Sequence, residues 1–353
     1  MTTPPALLIA GPGTRDEAGV AAVHALVQEL ERRAPGLPVA GGLVEQAPRP
    51  GAPPTGPERP ASPQSPSPQS HSPWNLSPRN PSPRNPSPQN PSPQNPACQP
   101  ALPLADAVAG LAERGVTRCA AVPLTLVGSG RAADGVTDAL ADETRRHPGI
   151  AYRYGRALGP HPLLLRALDR RLDEALGEAA RSPSDRARTT VLLVGAGSTD
   201  PAGNAEVHLA ARLLWEGRGF AGVETAFVSL AAPDVPSGLD RCLRLGAQRI
   251  VVLPYFLFAG ALPDRAWQQS EGWASAHPEV EVISADVIGP AEELADLVLE
   301  RYREAVGDGP EQLCDSCARP AEPWAGAPGT VPRQHDRAGA PAGEEPRDHR
   351  TGR

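Results

Sequence analysis

Two glycine-containing turns stand out among the residues that could do chemistry. They read GPGT at residues 11–14 and GAGS at residues 195–198, and each follows an apolar run and precedes a helical pattern. Gly13 and Thr14 are candidate anion-binding residues, because backbone N–H groups at a helix start attract anions and Thr14 would be the N-cap. The nucleotide-binding interpretation is weak, since an aspartate stands where the third glycine of G-x-G-x-x-G should be. A tight strand-to-helix turn explains the pattern equally well.

Cysteine and histidine supply the other candidate ligands. Cys314 and Cys317 form a C-x-x-C, which is half of a zinc or iron–sulfur site that a dimer could complete. A silent C-x-x-C in a flexible tail is the more common case. The five cysteines are odd in number and scattered, which suits a reducing cytosol better than a disulfide framework. His161 lies in a GPHP turn, where it either faces a ligand or, as we favour, caps the next helix.

The composition excludes several kinds of chemistry. Arginine accounts for all 34 residues of the lysine-plus-arginine total, so no P-loop lysine or Schiff-base lysine is present. The net charge of −7, without a basic block, argues against a nucleic-acid partner. There is neither an apolar run of about 18 residues nor a basic leader before the first apolar run. We therefore expect a cytoplasmic protein with no membrane partner.

An internal repeat organises the elements that must position these residues. The segment LLIAGPGTRD at residues 7–16 corresponds to VLLVGAGSTD at residues 191–200, an offset of 184. Further along the chain Pro123 corresponds to Pro254, and the offset falls to 131. The drop from 184 to 131 means that the first copy carries 53 extra residues.

The extra residues form a proline-, serine- and asparagine-rich insert at 49–100. Its repeating NPSPR or NPSPQ unit has almost no apolar side chains, so it cannot bury enough surface to offset the entropy of ordering. We predict that the insert is disordered. A PxxP site for a partner domain is one interpretation, and a tolerated insertion between a strand and a helix is the one we favour.

Each copy alternates β-rich runs with amphipathic helical patterns. The predicted strands are 6–10, 39–44, 119–123, 150–154, 190–194, 223–228, 250–254 and 280–284. The predicted helices of the first copy are 15–33, 104–114, 132–147 and 162–176. Apolar strands separated by helices indicate a parallel sheet covered on both faces.

These patterns predict an α/β fold of two tandem, doubly wound lobes with parallel sheets. The first lobe would comprise 1–48 and 101–180, the second 181–308, and a flexible tail 309–353. Ligands of such folds bind beyond the carboxyl ends of the strands, so the cleft between the lobes is the expected site.

Several collinear segments resemble the sirohydrochlorin chelatase (cobaltochelatase, CbiX-type) family in its long, two-repeat form. They are LIAGPGTRD at 8–16, YRYGRALGPHP at 152–162, LLWEGR at 213–218, PYFLF at 254–258 and CDSC at 314–317. The resemblance covers roughly 1–48 and 101–317. It implies two flavodoxin-like lobes of the class II chelatase type. It also implies insertion of Fe²⁺ or Co²⁺ into the tetrapyrrole sirohydrochlorin, for siroheme or cobalamin.

The resemblance also implies a metal site, which is incomplete in this chain. The family's glutamate after the second strand corresponds to Glu45, and its two histidines correspond to Pro12 and Arg131. Proline has no side-chain ligand, and arginine stays protonated and would repel a divalent cation. The second copy offers Ala196 and Leu262 at the equivalent positions. Glu45 is therefore the one catalytic and metal-binding residue that the resemblance leaves.

The remaining candidates concern the substrate. Arg153 and Arg156 could pair with tetrapyrrole carboxylates, and we group them with Gly13, Thr14 and His161 as substrate-binding residues. Three hypotheses follow: a chelatase that is catalytically impaired, a non-catalytic carrier of a tetrapyrrole or metal, and an unrelated anion-binding protein that uses the two glycine turns.

Overall fold

The computed structural model describes residues 4–14, 16–44, 103–177 and 182–307, which form two α/β lobes. The insert, the tail, Glu45, Cys314 and Cys317 lie outside the described residues. The elements of the first lobe are β1 (Ala6–Gly11), α1 (Glu17–Arg33), β2 (Val39–Leu43), α2 (Leu104–Glu113), β3 (Arg118–Pro123), α3 (Arg131–Arg146), β4 (Ala151–Tyr154) and α4 (Pro162–Leu176).

The second lobe repeats this order after one short additional helix. Its elements are α5 (Pro183–Arg186), β5 (Thr189–Gly195), α6 (Pro201–Trp215), β6 (Gly222–Phe227), α7 (Val235–Arg244), β7 (Arg249–Pro254), α8 (Ala261–Ala276), β8 (Glu281–Ser284) and α9 (Glu292–Val306). The predicted strands and helices agree with these bounds to within two residues. The helix α5 was not predicted.

Each lobe contains a four-stranded parallel sheet. The strand orders are β2-β1-β3-β4 and β6-β5-β7-β8. In the first sheet Leu8 of β1 lies opposite Ala40 of β2 and Ala121 of β3. All residues of β1 and β5 are buried, because helices cover both faces of a central parallel strand. The predicted pair of doubly wound lobes is confirmed.

The last helix of each lobe packs on the opposite lobe. Helix α4, which ends the first repeat, contacts β7 and β8, whereas α9 contacts β3 and β4, and the two helices also contact each other. One buried cluster accordingly contains Leu7 of β1, Leu168 of α4, Leu253 of β7 and Val298 of α9. Burying each such side chain contributes about 1.5–3 kcal/mol. The exchange of helices therefore joins the two lobes through one continuous core.

Two arginines attach the exchanged helices in matching ways. Arg171 of α4 donates from Nη2 to Ile288 O at 2.9 Å. Arg301 of α9 donates from Nε to Ala157 O at 3.0 Å and from Nη2 to Leu158 O at 3.3 Å. Arg171 and Arg301 are 130 residues apart, as are Leu158 and Ile288, because the repeat offset falls from 131 to 130 after the third strand of each lobe. The lobes are therefore related by an approximate twofold arrangement.

No helix in the described part of the chain has the length and apolar character needed to cross a membrane.

Candidate functional site

The loops at the carboxyl ends of the strands meet where the lobes join. A Cβ placed on Gly19 of α1 would lie 3.1 Å from Ala259 O, and one on Gly203 of α6 would lie 3.2 Å from Ser129 O. These contacts are equivalent in the two repeats, at offsets of 184 and 130. Each loop between the third strand and its helix, 124–130 or 255–260, thus rests on the first helix of the opposite lobe. We call this contact zone the junction.

The glycine turns are capped by a residue that we did not predict. Asp16 caps α1 by accepting a hydrogen bond from Gly19 N at 3.1 Å, and Asp200 caps α6 by accepting from Ala202 N at 3.0 Å. Thr14 accepts instead from Asp16 N, at 3.1 Å. The prediction that Thr14 is the N-cap of α1 was therefore wrong. A carboxylate at the helix start disfavours an anion there, which weakens the anion-binding hypothesis for both turns.

The turn of the second lobe requires glycine for steric reasons. Gly197 has a φ of +84°, and a Cβ on it would lie 1.7 Å from Ser229 O. Gly197 is the repeat equivalent of Gly13, which is half-buried in the turn after β1. The tight-turn interpretation therefore accounts for the glycine without any ligand.

The two positions that correspond to the family's histidines are solvent-exposed. Pro12 lies in the turn between β1 and α1, and Arg131 is the first residue of α3, after Gly130 with a φ of +93°. The second-lobe equivalent of Arg131 is Ala261, which begins α8 after Gly260. Our assignment of Leu262 was wrong, because loop 124–130 is one residue longer than loop 255–260.

Metal ligands are sparse in the part of the chain that the structure describes. No group of three or more histidine, cysteine, aspartate or glutamate side chains in that part could hold a metal ion. Cys119 and Cys242 are free and buried, and burial raises the pKa of each thiol to about 12, so neither is a ready thiolate ligand. Glu45, Cys314 and Cys317 stay predictions, since they lie outside the described residues.

The predicted substrate-binding arginines attach the exchanged helix α9. Arg153 donates from Nη1 to Ala305 O at 3.1 Å, and Arg156 forms an ion pair with Glu304 at 2.9 Å. Glu304 also accepts from Arg301 Nη1 at 2.9 Å. These contacts give both arginines a structural role and do not support the predicted contacts with substrate carboxylates.

His161 is likewise a structural residue, and it is only 6% exposed. Its Nδ1 accepts a hydrogen bond from Leu163 N at 3.3 Å at the start of α4, and its Nε2 lies 3.3 Å from Glu300 Oε1 of α9. Burial lowers the pKa of His161, and Glu300 opposes that shift. The favoured capping interpretation is confirmed, and the predicted substrate contact is not supported.

Two polar residues at the junction escaped the sequence analysis. The carboxylate of Glu206 accepts the Gly128 N–H at 3.1 Å and 3.0 Å from its two oxygens, and burial raises the pKa of Glu206. Tyr255 is buried, with no hydrogen-bond partner for its hydroxyl among the described residues. Comparing the repeats could have revealed Glu206, because its equivalent at offset 184 is Ala22.

Comparison with known proteins identifies the family. The CbiX family model matches residues 98–175 and 190–305, which is more than half of the chain and includes segments of both lobes. The chain belongs to the CbiX family. The resemblance inferred from the sequence segments is confirmed.

The CbiX relatives carry chelatase names. A sirohydrochlorin cobaltochelatase of Priestia megaterium is 32% identical over 204 residues, which is 58% of this chain and 66% of that protein. A sirohydrochlorin ferrochelatase of the same organism is 31% identical over 160 residues, which is 45% of this chain and 58% of that protein. The matched region thus spans less than two thirds of the length of either relative.

The CbiX fold is also seen in solved structures. SirB from Bacillus subtilis with Fe³⁺ has a TM-score of 0.58 and 19% identity, covering 85% of this chain and 94% of that chain. DR2241 from Deinococcus radiodurans, a multi-domain protein with structural similarity to chelatases, has a TM-score of 0.53 and 19% identity, covering 84% and 54%. At this identity the likeness establishes the shared fold.

Proposed function

We propose that this CbiX-family chain binds sirohydrochlorin at the junction and acts as a chelatase-type protein in siroheme or cobalamin biosynthesis. The observation that carries the proposal is the family match, which extends into both lobes. The location follows from the fold, because the loops at the carboxyl ends of the strands of both lobes converge there. The metal, Fe²⁺ or Co²⁺, would be a substrate of the reaction. We also propose a cytoplasmic location, which the free Cys119 and Cys242 support.

The chemistry of metal insertion predicts slow turnover for this sequence. Insertion of M²⁺ forms four metal–nitrogen bonds and releases two protons from the pyrrole nitrogens. Neutral imidazoles and carboxylates suit both tasks, because they bind a divalent ion and accept protons. Pro12 supplies neither function, and Arg131 adds a fixed positive charge at the start of α3. Glu45 would be the one remaining group of the implied set.

The replacement of both histidines also favours a second candidate, a non-catalytic tetrapyrrole carrier. An exposed guanidinium at Arg131 could pair with a carboxylate of sirohydrochlorin, whereas a chelatase needs a neutral ligand there. A carrier would bind the tetrapyrrole with ordinary affinity and leave the rate of metal insertion unchanged.

Titration of the full chain with sirohydrochlorin, followed by absorbance, tests the shared part of the two candidates. We expect saturable, one-to-one binding. Adding Co²⁺ to the complex then separates the candidates: faster insertion than in free sirohydrochlorin supports the chelatase, and an unchanged rate supports the carrier. An absence of binding at concentrations up to about 1 mM would contradict both.

A further inference from the structure

The junction is symmetric in its glycine contacts but not in its charged contact. Gly128 N–H, in the loop 124–130, donates to both carboxylate oxygens of Glu206 in α6. The equivalent positions in the opposite half are Phe258, at offset 130, and Ala22, at offset 184. Alanine offers no acceptor, so the loop 255–260 has no corresponding bond. A single carboxylate therefore distinguishes the two halves of the junction.

We propose that Glu206 is a positioning residue that holds the loop 124–130 of the first lobe against the second lobe. We call its hydrogen bond to Gly128 N–H the latch. Breaking this bond admits ligand to the junction. The latch is a property of the protein itself. Only its effect on sirohydrochlorin rests on the proposed function.

The hydrogen bonds of the loop explain why one carboxylate can control it. Both ends of the loop are anchored within the first lobe: Leu124 N donates to Ala10 O at 2.8 Å, and Gly130 O accepts from Asp134 N at 2.9 Å. Between these ends Gly128 N–H donates to Glu206 of the other lobe. A bond from a backbone N–H to a carboxylate is stronger than one between neutral groups, so Glu206 adds to the packing of Ser129 and Gly130 on the second lobe.

The surroundings of Glu206 also favour its bond to the loop. In the described ranges, no arginine or histidine lies within ion-pair distance of its carboxylate, and Gly128 N–H is its hydrogen-bond donor. Because the Glu206 residue is half-buried, this bond compensates part of the cost of removing its carboxylate from water. Loss of the bond would free both the carboxylate and the loop.

The closed junction also leaves hydroxyl groups without partners. Ser129 Oγ in the same loop and Tyr255 Oη in the facing loop are buried and lack a hydrogen-bond partner among the described residues. Unpartnered buried hydroxyls disfavour the state that buries them. Opening of loop 124–130 would expose Ser129 to water, so the closed state depends on the Glu206 bond to offset this cost.

The loop ends next to Arg131, which corresponds to one of the histidines implied by the family resemblance. Arg131 follows Gly130 directly and begins α3. A Cβ on Gly130 would lie 2.6 Å from Ser198 Oγ of the second lobe, so the loop is in close contact there. Fixing Gly128 therefore also fixes where residue 131 stands relative to the second lobe.

Hydrogen exchange measured by mass spectrometry tests the latch in the full chain without any ligand. Glu206→Ala should speed exchange of peptides covering 124–130 by roughly tenfold or more, because a charge-assisted bond is lost. Glu206→Gln keeps one acceptor oxygen and should fall between wild type and Glu206→Ala. The control Glu216→Ala removes an exposed carboxylate directly after α6 that pairs with Arg212, and should leave the loop unchanged. Unaltered exchange of the loop in Glu206→Ala, with exchange elsewhere equal to wild type, would overturn the latch.

Stopped-flow binding of sirohydrochlorin tests the gating. A latch that restricts access predicts a larger association rate constant in Glu206→Ala than in wild type, by severalfold, with Glu216→Ala equal to wild type. A residue that merely supports the fold would not accelerate binding. Faster loop exchange without faster association would overturn the gating role, because it would show that the loop does not limit entry. If neither wild type nor any variant binds sirohydrochlorin, the proposed function is wrong. The hydrogen-exchange experiment still tests whether Glu206 holds the loop, because it uses no ligand.

Discussion

The first lobe joins β3 to α3 through residues 124–130, whereas the second lobe joins β7 to α8 through 255–260. Both loops rest on a glycine of the opposite lobe, and both exchanged helices are attached by an arginine. The first lobe differs in carrying Glu45, the insert and the loop held by Glu206. The glycine contacts and the arginine attachments of the exchanged helices therefore come in pairs, whereas the Glu206 contact and the residues implicated in chemistry occur on one side only.

The largest effect is expected from a pair of histidine substitutions in the first lobe. Pro12→His with Arg131→His should raise Co²⁺ insertion into sirohydrochlorin by roughly a hundredfold over wild type, because two neutral proton acceptors replace a proline and a cation. Each single change should recover little, since the groups act together. A further Glu45→Ala change should remove the gain. Initial rates of the absorbance change measure the effect.

The matched control for these substitutions lies in the second lobe. Ala196→His with Ala261→His places the same side chains at the repeat-equivalent positions, where no glutamate equivalent to Glu45 follows the second strand. We expect no gain from this pair. Equal gains in the two lobes would show that the site is not confined to the first lobe. Robust turnover by the unmodified protein would contradict the reasoning about Pro12 and Arg131.

The two arginines that attach the exchanged helices, which we call the anchors, should contribute unequally to the free energy of unfolding, although they occupy equivalent positions in the repeat. The Arg301 side chain is 4% exposed and bonds to two carbonyl oxygens and to Glu304, whereas the Arg171 side chain is 19% exposed. Arg301→Ala leaves the Ala157 and Leu158 carbonyl oxygens without their donor and removes one of the two arginines paired with Glu304, so it should cost about 3–5 kcal/mol of unfolding free energy. Arg171→Ala should cost about 1–2 kcal/mol.

Urea unfolding monitored by circular dichroism measures both changes. Arg303→Ala is the matched control, because Arg303 is exposed on the same helix as Arg301, and it should shift the unfolding free energy by less than about 0.5 kcal/mol. Equal losses for Arg301→Ala and Arg171→Ala would mean that burial does not distinguish the two anchors.

The sequence predicted the layers of this fold because strands buried on both faces are apolar throughout. Residues 6–10 and 190–194 show this pattern, and the structure places β1 and β5 at the centres of the two sheets. The exchange of α4 and α9 could not be predicted in this way. Both helices are amphipathic, and an apolar face packs equally well on either sheet, so the sequence pattern does not specify which lobe covers it.

The same missing exchange explains why the structure does not support part of the candidate site. Arg153 and Arg156 were grouped with the substrate because a guanidinium can pair with a carboxylate, and His161 because its GPHP turn could face a ligand. Helix α9 of the other repeat occupies the space in front of them and supplies Glu300 and Glu304. A long-range contact of this kind leaves no local signal in the chain.

The insert offers a smaller test of the same comparison. Leu43 and Pro103 form a bridge across the ends of the region that contains the insert, as Phe227 and Asp234 do across the short connection of the second lobe. Because the ends already meet, deletion of residues 50–98 should change Tm by no more than a few degrees. Differential scanning calorimetry measures this, and a loss of more than about 10 °C would show that the deleted residues pack on the lobes.

The smallest expected effect concerns how the exchanged helices begin. His161 caps α4, whereas Ala291, its repeat equivalent, precedes α9 without a side-chain cap. Burial lowers the folded-state pKa of His161 below its ordinary value of about 6.5, so the unfolded chain binds the proton more readily. The stability that this neutral histidine contributes is therefore complete above about pH 6.5 and is lost as the pH falls toward the lowered pKa. His161→Asn keeps a capping side chain that does not titrate.

Thermal unfolding at pH 7.5 and pH 5.5 measures the difference between wild type and His161→Asn. We expect the fall in Tm on acidification to be about 2 °C larger for wild type, because all other titrating groups are common to both proteins. His147→Asn controls for loss of a histidine elsewhere, at the end of α3, and should behave like wild type. If wild type instead gains stability relative to His161→Asn on acidification, the ion pair between protonated His161 and Glu300 outweighs burial. The helix start would then be held by a charge that the second lobe lacks, and the asymmetry of the two lobes would extend to their exchanged helices.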